Sequence, residues 1–452
     1  MNAMKLMKST VGLVAALAAA SSMLAAQGPA TEITQWQDGK QAAVAVTYDD
    51  STINQFRIAL PLMNERGIVG TFFVITSQIP GSKNMPTFVG RPIMDIIRES
   101  ATVPTSAGNV YERTSMLRYL GDVQRLEEVL ALRVQPTNLA SVDTALEKLR
   151  ATGKTYAVGA VAYVPVRSEE AGRPRADQPG GLTWDEFRKA ATQGHEIANH
   201  TVSHARLPNL DEPNIFFETD KAEEDLRAQM GDKHTYSIEA PYGIRDEKVR
   251  VALTQRFKLT RNWVSDADGV FMEGIMRGNN KDPQTSTKPY VECERGPVSN
   301  TTMEQMTGWV DASLKNGTWL VLVVHGIEGI GYEPIPKDRI AAFFDYLKAS
   351  SDRLWVATYQ DGSRYMRERM SSAVTSRQTG QSIEVTVKHS LDSKVYDLPL
   401  TARTTVPAAW TSVRVRQGST TQTVATKKDG DRTFAQYRVA PDGSVVRLDR
   451  AQ

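Results

Sequence analysis

The sequence predicts an α/β fold built on parallel strands, followed by a small all-β region, and three observations carry that expectation. Short apolar, β-branched runs recur through the first 370 residues, the pattern of strands buried on both faces. Three of these runs end in polar, titratable residues, and catalytic groups in parallel α/β folds gather at the C-terminal ends of strands. Beyond about Met370 the texture changes to alternation of apolar and polar residues, as expected of half-buried antiparallel strands.

The elements follow in order. Ala42 to Tyr48 reads as the first buried strand and delivers Asp49-Asp50 to its C-terminal end. Phe56 to Met63 has helical periodicity, and Gly67-Ile68-Val69-Gly70 turns the chain into a strand from Thr71 to Ile75, completing a βαβ unit. From about 81 to 180 lies a mostly helical insertion. Met116 to Val134 and then Leu139, Val142, Leu146 and Leu149 place apolar residues at helical spacing, and the insertion either shapes a cleft or merely decorates the fold. Thr183 caps the next helix, with Glu186 completing a capping box. The turn Gln193-Gly194 precedes a strand from His195 to Asn199 that delivers His200, and Trp319 to Val324 runs straight into His325-Gly326. A helix near Ile340 to Leu347 and a strand from Leu354 to Thr358 close the series. Ile383 to Val387, Val413 to Arg416 and Phe434 to Val439 then alternate with period 2, so 371–452 is expected to be a β-sandwich-like accessory domain. No row of aromatic residues lines one of its faces, which favours a packing module over a carbohydrate binder.

Composition narrows the class without choosing the function. The chain has 452 residues, 40% of them hydrophobic, enough for two or three domains. A net charge of +2 from 54 basic and 52 acidic residues, with no basic stripe, argues against a nucleic-acid partner. The single cysteine, Cys293, excludes an internal disulfide and any cysteine-rich zinc site, and reads as a small packed side chain. Lys5 and Lys8 precede an apolar run from Val11 to Ala20, and small residues around Ala25-Ala26 offer a cleavage site, so residues 1–26 read as a signal peptide. The run is shorter than the ~20 residues of a spanning helix. The expectation is therefore a bacterial protein exported to the periplasm or beyond, with no transmembrane segment after cleavage. Composition is silent on oligomeric state.

His200-Thr-Val-Ser-His204 is the most informative short motif. Imidazoles four residues apart can share one face of a helical turn, and a carboxylate from elsewhere completes three metal ligands while leaving a position open for water. Asp-Asp after a strand is more often a turn or a helix cap, and an isolated histidine more often a hydrogen-bonded structural residue. Their joint appearance with His325, each at a strand end, points to metal-assisted hydrolysis. His195, His234 and His389 do not share that placement and read as structural or exposed.

These residues resemble the polysaccharide deacetylases of carbohydrate esterase family 4, the NodB homology fold. Thr47-Tyr48-Asp49-Asp50 is similar to the family's first motif, Thr-Phe-Asp-Asp; His200 to His204 to its second, His-Ser/Thr-x-x-His; and Val323-Val324-His325 to its fifth. The third, Arg-x-Pro-x-Gly, survives in part as Glu239-Ala240-Pro241-Tyr242-Gly243; the fourth has only Asn262-Trp263 and Asp266 as candidates. The resemblance covers roughly 40 to 80 and 181 to 370. It implies a distorted (β/α) barrel over 27–370, interrupted by the insertion. It also implies a carbohydrate deacetylase acting on an N-acetyl amide or O-acetyl ester of an acetylated glycan, with Asp50, His200 and His204 holding Zn²⁺ or another divalent metal. Asp49 would be the general base, His325 the acid that protonates the leaving group, and Pro241-Tyr242 the oxyanion element through the Tyr242 N–H. Two alternatives stay open: an amidase on a non-carbohydrate substrate, and a catalytically silent carbohydrate-binding protein. Glu239 stands where the family places an arginine that pairs with the base, so Glu239 is expected to point away and Arg261 or Arg245 to supply the cation.

Overall fold

Ala42–Tyr48 and Trp319–Val324 are buried along their whole lengths in the computed structural model, as uninterrupted apolar runs require when both faces of a parallel sheet are covered. The structure describes residues 29–120, 135, 138–156, 181–243, 246–261, 271–277 and 291–451. The expected signal segment, the continuation of the Met116 helix to Val134, and the candidates Arg245, Asn262, Trp263 and Asp266 lie outside those residues; so does the side chain of Cys293.

In chain order the first ten strands are β1 (Thr31–Ile33), β2 (Ala42–Tyr48), β3 (Thr71–Val74), β4 (Glu196–Asn199), β5 (Ser237–Glu239), β6 (Leu259–Arg261), β7 (Phe271–Arg277), β8 (Val291–Gly296), β9 (Trp319–Val324) and β10 (Leu354–Ala357). All but β1 form one parallel sheet in the order β6-β5-β4-β3-β2-β9-β8-β7. The N-terminal half of β2 pairs with β10 and its C-terminal end with β3, the offset of a curved, distorted barrel wall. The helices are α1 (Leu60–Arg66), α2 (Ile93–Glu99), α3 (Val110–Leu120), α4 (Leu139–Ala151), α5 (Trp184–Thr192), α6 (Glu212–Met230), α7 (Glu247–Thr254), α8 (Met303–Asn316), α9 (Lys337–Ala349) and α10 (Tyr359–Ser371). Met63 of α1, Phe187 of α5, Trp309 of α8 and Phe343 of α9 pack against Val44, Val46, Leu320 and Leu322, which keeps the strands in register under a single apolar layer. Among the described residues no helix is long and apolar enough to cross a membrane.

Local signals shape the ends of these helices. Thr183 and Glu186 form the expected capping box on α5, and Thr302 with Gln305 forms a second on α8. Phe56 to Met63 is not one regular helix: Gln55–Ala59 is a π-turn that passes into α1, with Pro61 in the first turn, where its missing N–H is tolerated. Where described, the insertion carries α2, α3 and α4 joined by non-helical stretches, and these helices enclose their own core of Ile93, Ile96, Met116, Leu117, Val142, Leu146 and Leu149.

A second compact unit comprises the described residues of 1–39, 368–392 and 397–452. Its further strands are β11 (Ala373–Thr379), β12 (Ser382–Lys388), β13 (Leu400–Thr405), β14 (Ser412–Gln417), β15 (Thr420–Ala425), β16 (Lys427–Asp429), β17 (Arg432–Val439) and β18 (Asp442–Arg450). They form two antiparallel sheets, β1-β13-β17-β16 and β11-β12-β18-β14-β15. The period-2 pattern buries Ile383, Val385, Val387, Val413, Val415, Val446 and Leu448. The division of the chain at 370 needs one correction: β1 lies not with the barrel but in this unit, where Thr31–Ile33 pairs with Thr404–Ala402 of β13. A three-residue strand carries no partner information of its own, so only the pairing reveals where it belongs.

Candidate active site

Strands β4, β3, β2 and β9 are neighbours, so the residues that follow β4, β2 and β9 meet at one end of the sheet. Asp50 Oδ1 lies 3.1 Å from His204 Nε2 and 3.5 Å from His200 Nε2, and one ligand atom from each of the three residues lies within 4.8 Å of the others. All three are buried. His200 Nδ1 is 2.9 Å from the Glu239 carbonyl oxygen. That oxygen can only accept, so the neutral ring carries its proton on Nδ1 and turns the Nε2 lone pair toward Asp50. Two imidazole nitrogens and one carboxylate oxygen, oriented in this way, suit a divalent transition metal with an open position.

Asp49, also buried, sits on the other side of the same turn. Its Oδ2 is 2.6 Å from Arg261 Nη2 and 3.7 Å from His325 Nε2. Burial works to raise the Asp49 pKa, but the Arg261 charge, His200, His325 and the Arg261 hydrogen bond outweigh it and hold the carboxyl below its ordinary 3.8. Asp49 Oδ1 is buried and accepts no hydrogen bond among the described residues. Arg261 is fully enclosed: Nη1 donates to Thr47 Oγ1 at 2.6 Å, Nε to Glu239 Oε2 at 3.2 Å, Glu294 Oε1 lies 3.6 Å away, and the guanidinium covers the Phe73 ring. Glu239 therefore does not point away from the site as the sequence suggested. It neighbours Arg261 across the β5–β6 pair, and its side chain grips the guanidinium that contacts Asp49. The arginine thus enters from β6 instead of β5.

The ligand loop also differs from expectation: His200 and His204 do not share a helical turn. Thr201 and His204 have φ of 68° and 57°, and side chains replace the helix ladder, with Asn199 Oδ1 accepting from Thr201 N and Thr201 Oγ1 from His204 N. Of the eight non-glycine residues with positive φ among the described residues, all but Asp38 belong to loops at this end of the sheet: Asp50, Ser51, Thr201, His204, Tyr242, Glu328 and Glu333. Each such conformation costs about 1–3 kcal/mol, so strain is concentrated in the loops that carry Asp50, His204 and Tyr242.

Buried partners outside the sequence motifs hold these loops. Gln55 Nε2, aimed by the π-turn, donates to the carbonyl oxygens of both Asp49 and His325, at 2.5 and 2.7 Å. Glu218 of α6 accepts from Ser203 N and Ser203 Oγ, and Tyr119 of the insertion donates to Glu218 at 2.7 Å. Burial and Glu218 push the Tyr119 pKa well above its ordinary value, which keeps that donor protonated. Arg118 Nη2 donates to Ser203 O at 2.9 Å. The insertion therefore braces the ligand loop. The Tyr242 ring lies 4.6 Å from the His204 ring, tilted 49° to it, with the Arg206 guanidinium 3.9 Å from its ring centre, and Pro241 is buried. His195 instead accepts from Gly70 N and faces Asn64, and burial lowers its pKa to about 4, so it stays neutral and structural. His234 faces the Ile197 carbonyl, and in the second unit His389 lies 3.4 Å from Glu368.

Residues 135–259 match the family model described as polysaccharide deacetylase. A gellan lyase from a Bacillus species is 25% identical over 280 residues, 58% of this chain. The chain spans 11% of the length of that relative. Among solved structures, the putative polysaccharide deacetylase from Mycobacterium smegmatis is 14% identical, covering 76% of this chain and 95% of that one with a TM-score of 0.36. A family 4 carbohydrate esterase from Streptomyces lividans is 10% identical, covering 70% and 92%, with a TM-score of 0.29.

Proposed function

We propose that this chain, whose residues 135–259 match the polysaccharide deacetylase family model, hydrolyses acetyl groups from an acetylated glycan and is exported under the direction of residues 1–26. The observation that carries the reading is the adjacency of two differently equipped carboxylates: Asp50 against two imidazoles, and Asp49 held ionised by Arg261 with Oδ1 buried and accepting no hydrogen bond among the described residues. Asp50, His200 and His204 would hold one divalent ion, Zn²⁺ by the donor set. Such an ion supplies Lewis acidity and makes water acidic enough to react near neutral pH.

The chain's own residues supply the remaining chemistry. Asp49 Oδ1 takes the proton of the attacking water, while Arg261 keeps Oδ2 engaged and the carboxylate aimed. The strained Pro241-Tyr242 turn offers the Tyr242 N–H to the developing oxyanion. His325, partly exposed at the mouth of the site, protonates the departing nitrogen or oxygen; an amide needs this step because a bare amide anion does not leave. The Arg261–Asp49 pair favours a working site over a silent carbohydrate binder, since it replaces the base–arginine contact that Glu239 seemed to remove.

Acetate release from acetylated xylan, chito-oligosaccharides and peptidoglycan tests the proposal. Release is expected on at least one of them, abolished by EDTA and restored by Zn²⁺; turnover confined to a non-acetyl amide would refute it. Asp49→Asn is expected to retain stoichiometric metal while losing turnover on the order of a hundredfold or more, because an amide cannot take the proton. Asp50→Asn is expected to weaken metal binding itself, as elemental analysis would report. His325→Ala is expected to slow amide substrates more than activated aryl esters, whose leaving groups need little protonation. Equal losses on both would remove His325 from the acid role.

A further inference from the structure

We infer that Tyr332 is a stacking subsite for a sugar ring on the leaving-group side of the site, so that the substrate is a glycan chain and not an isolated acetylated unit. This rests on the deacetylase reading for the words "leaving-group side", and on geometry for the rest. Tyr332 is 46% exposed, one of the few large apolar side chains so presented, and its ring stands 5.5 Å from the His325 ring at 82°. An exposed aromatic that meets the proposed acid edge-to-face leaves ring surface open to whatever His325 protonates.

The loop that carries it is built to stay put. Gly326 N donates to Tyr332 O at 2.9 Å, Ile335 N to Gly326 O at 3.0 Å and Glu328 N to Ile335 O at 2.9 Å, with Ile327 and Ile335 buried below. Asn54 Nδ2 reaches the carbonyl oxygens of Ile327 and Glu328, and Ser299 Oγ donates to Glu333 at 2.6 Å. Gly326 and Gly331 pack so closely that a Cβ on either would lie under 3.0 Å from backbone atoms. A mobile loop would lose entropy on binding; here the ordering of the loop backbone is supplied beforehand, which lowers the cost of an aromatic contact. Tyr suits a pyranose because its face is apolar and its hydroxyl stays wet.

The second aromatic of the site, Tyr242, follows β5 and lies against His204, whereas Tyr332 follows β9; strands β4, β3 and β2 lie between them in the sheet. The two rings therefore stand on opposite flanks of the Asp49-Asp50 turn. A chain laid across that turn would present its acetylated residue between them and its next ring over Tyr332.

Tyr332→Ala and Tyr332→Phe in the full-length, Zn²⁺-loaded protein test this with fully N-acetylated chitotetraose and O-acetylated xylotetraose, against 4-nitrophenyl acetate as a probe with no sugar. Calorimetric Kd for a tetrasaccharide is expected to weaken about tenfold in Tyr332→Ala, the worth of one ring contact, and to stay within about twofold in Tyr332→Phe. In turnover the loss falls on KM for the tetrasaccharide and exceeds the loss on the aryl acetate. Equal losses of kcat on both substrates, with a displaced pH profile, would make Tyr332 a positioning residue for His325 and overturn the subsite. So would tetrasaccharide binding that ignores Tyr332, or no binding by the parent protein. Tyr332-dependent binding without acetate release would keep the subsite and sink the deacetylase reading, so the two failures are distinct.

Discussion

His200→Ala and His204→Ala are each expected to release the metal and to lower kcat/KM at least about a hundredfold, the scale on which weakened metal sites lose affinity or activity. Each change removes one of three candidate ligands, and no other histidine among the described residues belongs to that cluster: His195 and His234 are committed to Gly70 and Ile197, and His325 faces Asp49. The His200 variant should be the more severe, because it also removes the contact with the buried Glu239 carbonyl at 2.9 Å. Elemental analysis after gel filtration decides the matter. Stoichiometric metal in the double variant would rule out Asp50, His200 and His204 as the ligand set.

Arg261→Met should show the other large effect, on stability as well as rate. Without the guanidinium, Asp49, Glu239 and Glu294 lose the buried cation that all three contact, and breaking a buried pair of this kind costs about 3–5 kcal/mol. The pH dependence has a definite sign. In the parent protein Asp49 is held below 3.8, so its stabilising contribution is present above that value and is lost as the pH falls through the lower, folded-state pKa. In the variant, burial acts on Asp49 unopposed by Arg261 and raises its pKa, so stability relative to the parent should rise on acidification from pH 7.5 to 5. Urea melts at the two pH values measure this. The acid-side limb of the pH–rate profile should move upward with Asp49, and turnover should fall on the order of a hundredfold as the base loses its aim. Arg261→Lys keeps the charge but not the fork of donors that spans Thr47, Asp49 and Glu239, and should fall between. An Arg261→Met protein with parental melts and an unmoved acid limb would leave the pairing without consequence.

Glu239 gains a meaning from these contacts that its position in the chain did not suggest. Its carbonyl orients His200 while its carboxylate grips Arg261, so one residue at the end of β5 steadies both His200 and the arginine that holds Asp49. Glu239→Gln keeps the backbone contact and removes the charge, which separates the two roles.

What could be read from the sequence was whatever is encoded locally. Continuous apolar runs mark β2 and β9 because burial on both faces leaves no polar positions to break them; alternation marks β12, β14 and β17 because each has one wet face; Thr183 and Glu186 mark a helix start because their bonds close within four residues. Asp49, Asp50, His200, His204 and His325 were visible because a strand end announces itself in the residues just before it. Hidden instead were contacts between positions far apart in the chain. Arg261 reaches Asp49 across 212 residues and Tyr119 reaches Glu218 across 99, while Gln55 joins two strand ends by a side chain that a π-turn happens to aim. β1 found its partner 373 residues away, Thr31 against Thr404. Such pairings carry no period and no flanking signal. A buried charge or amide can be satisfied by any complementary group that the fold brings within about 3 Å, and which group that is was decided by the sheet order and the packing of the insertion.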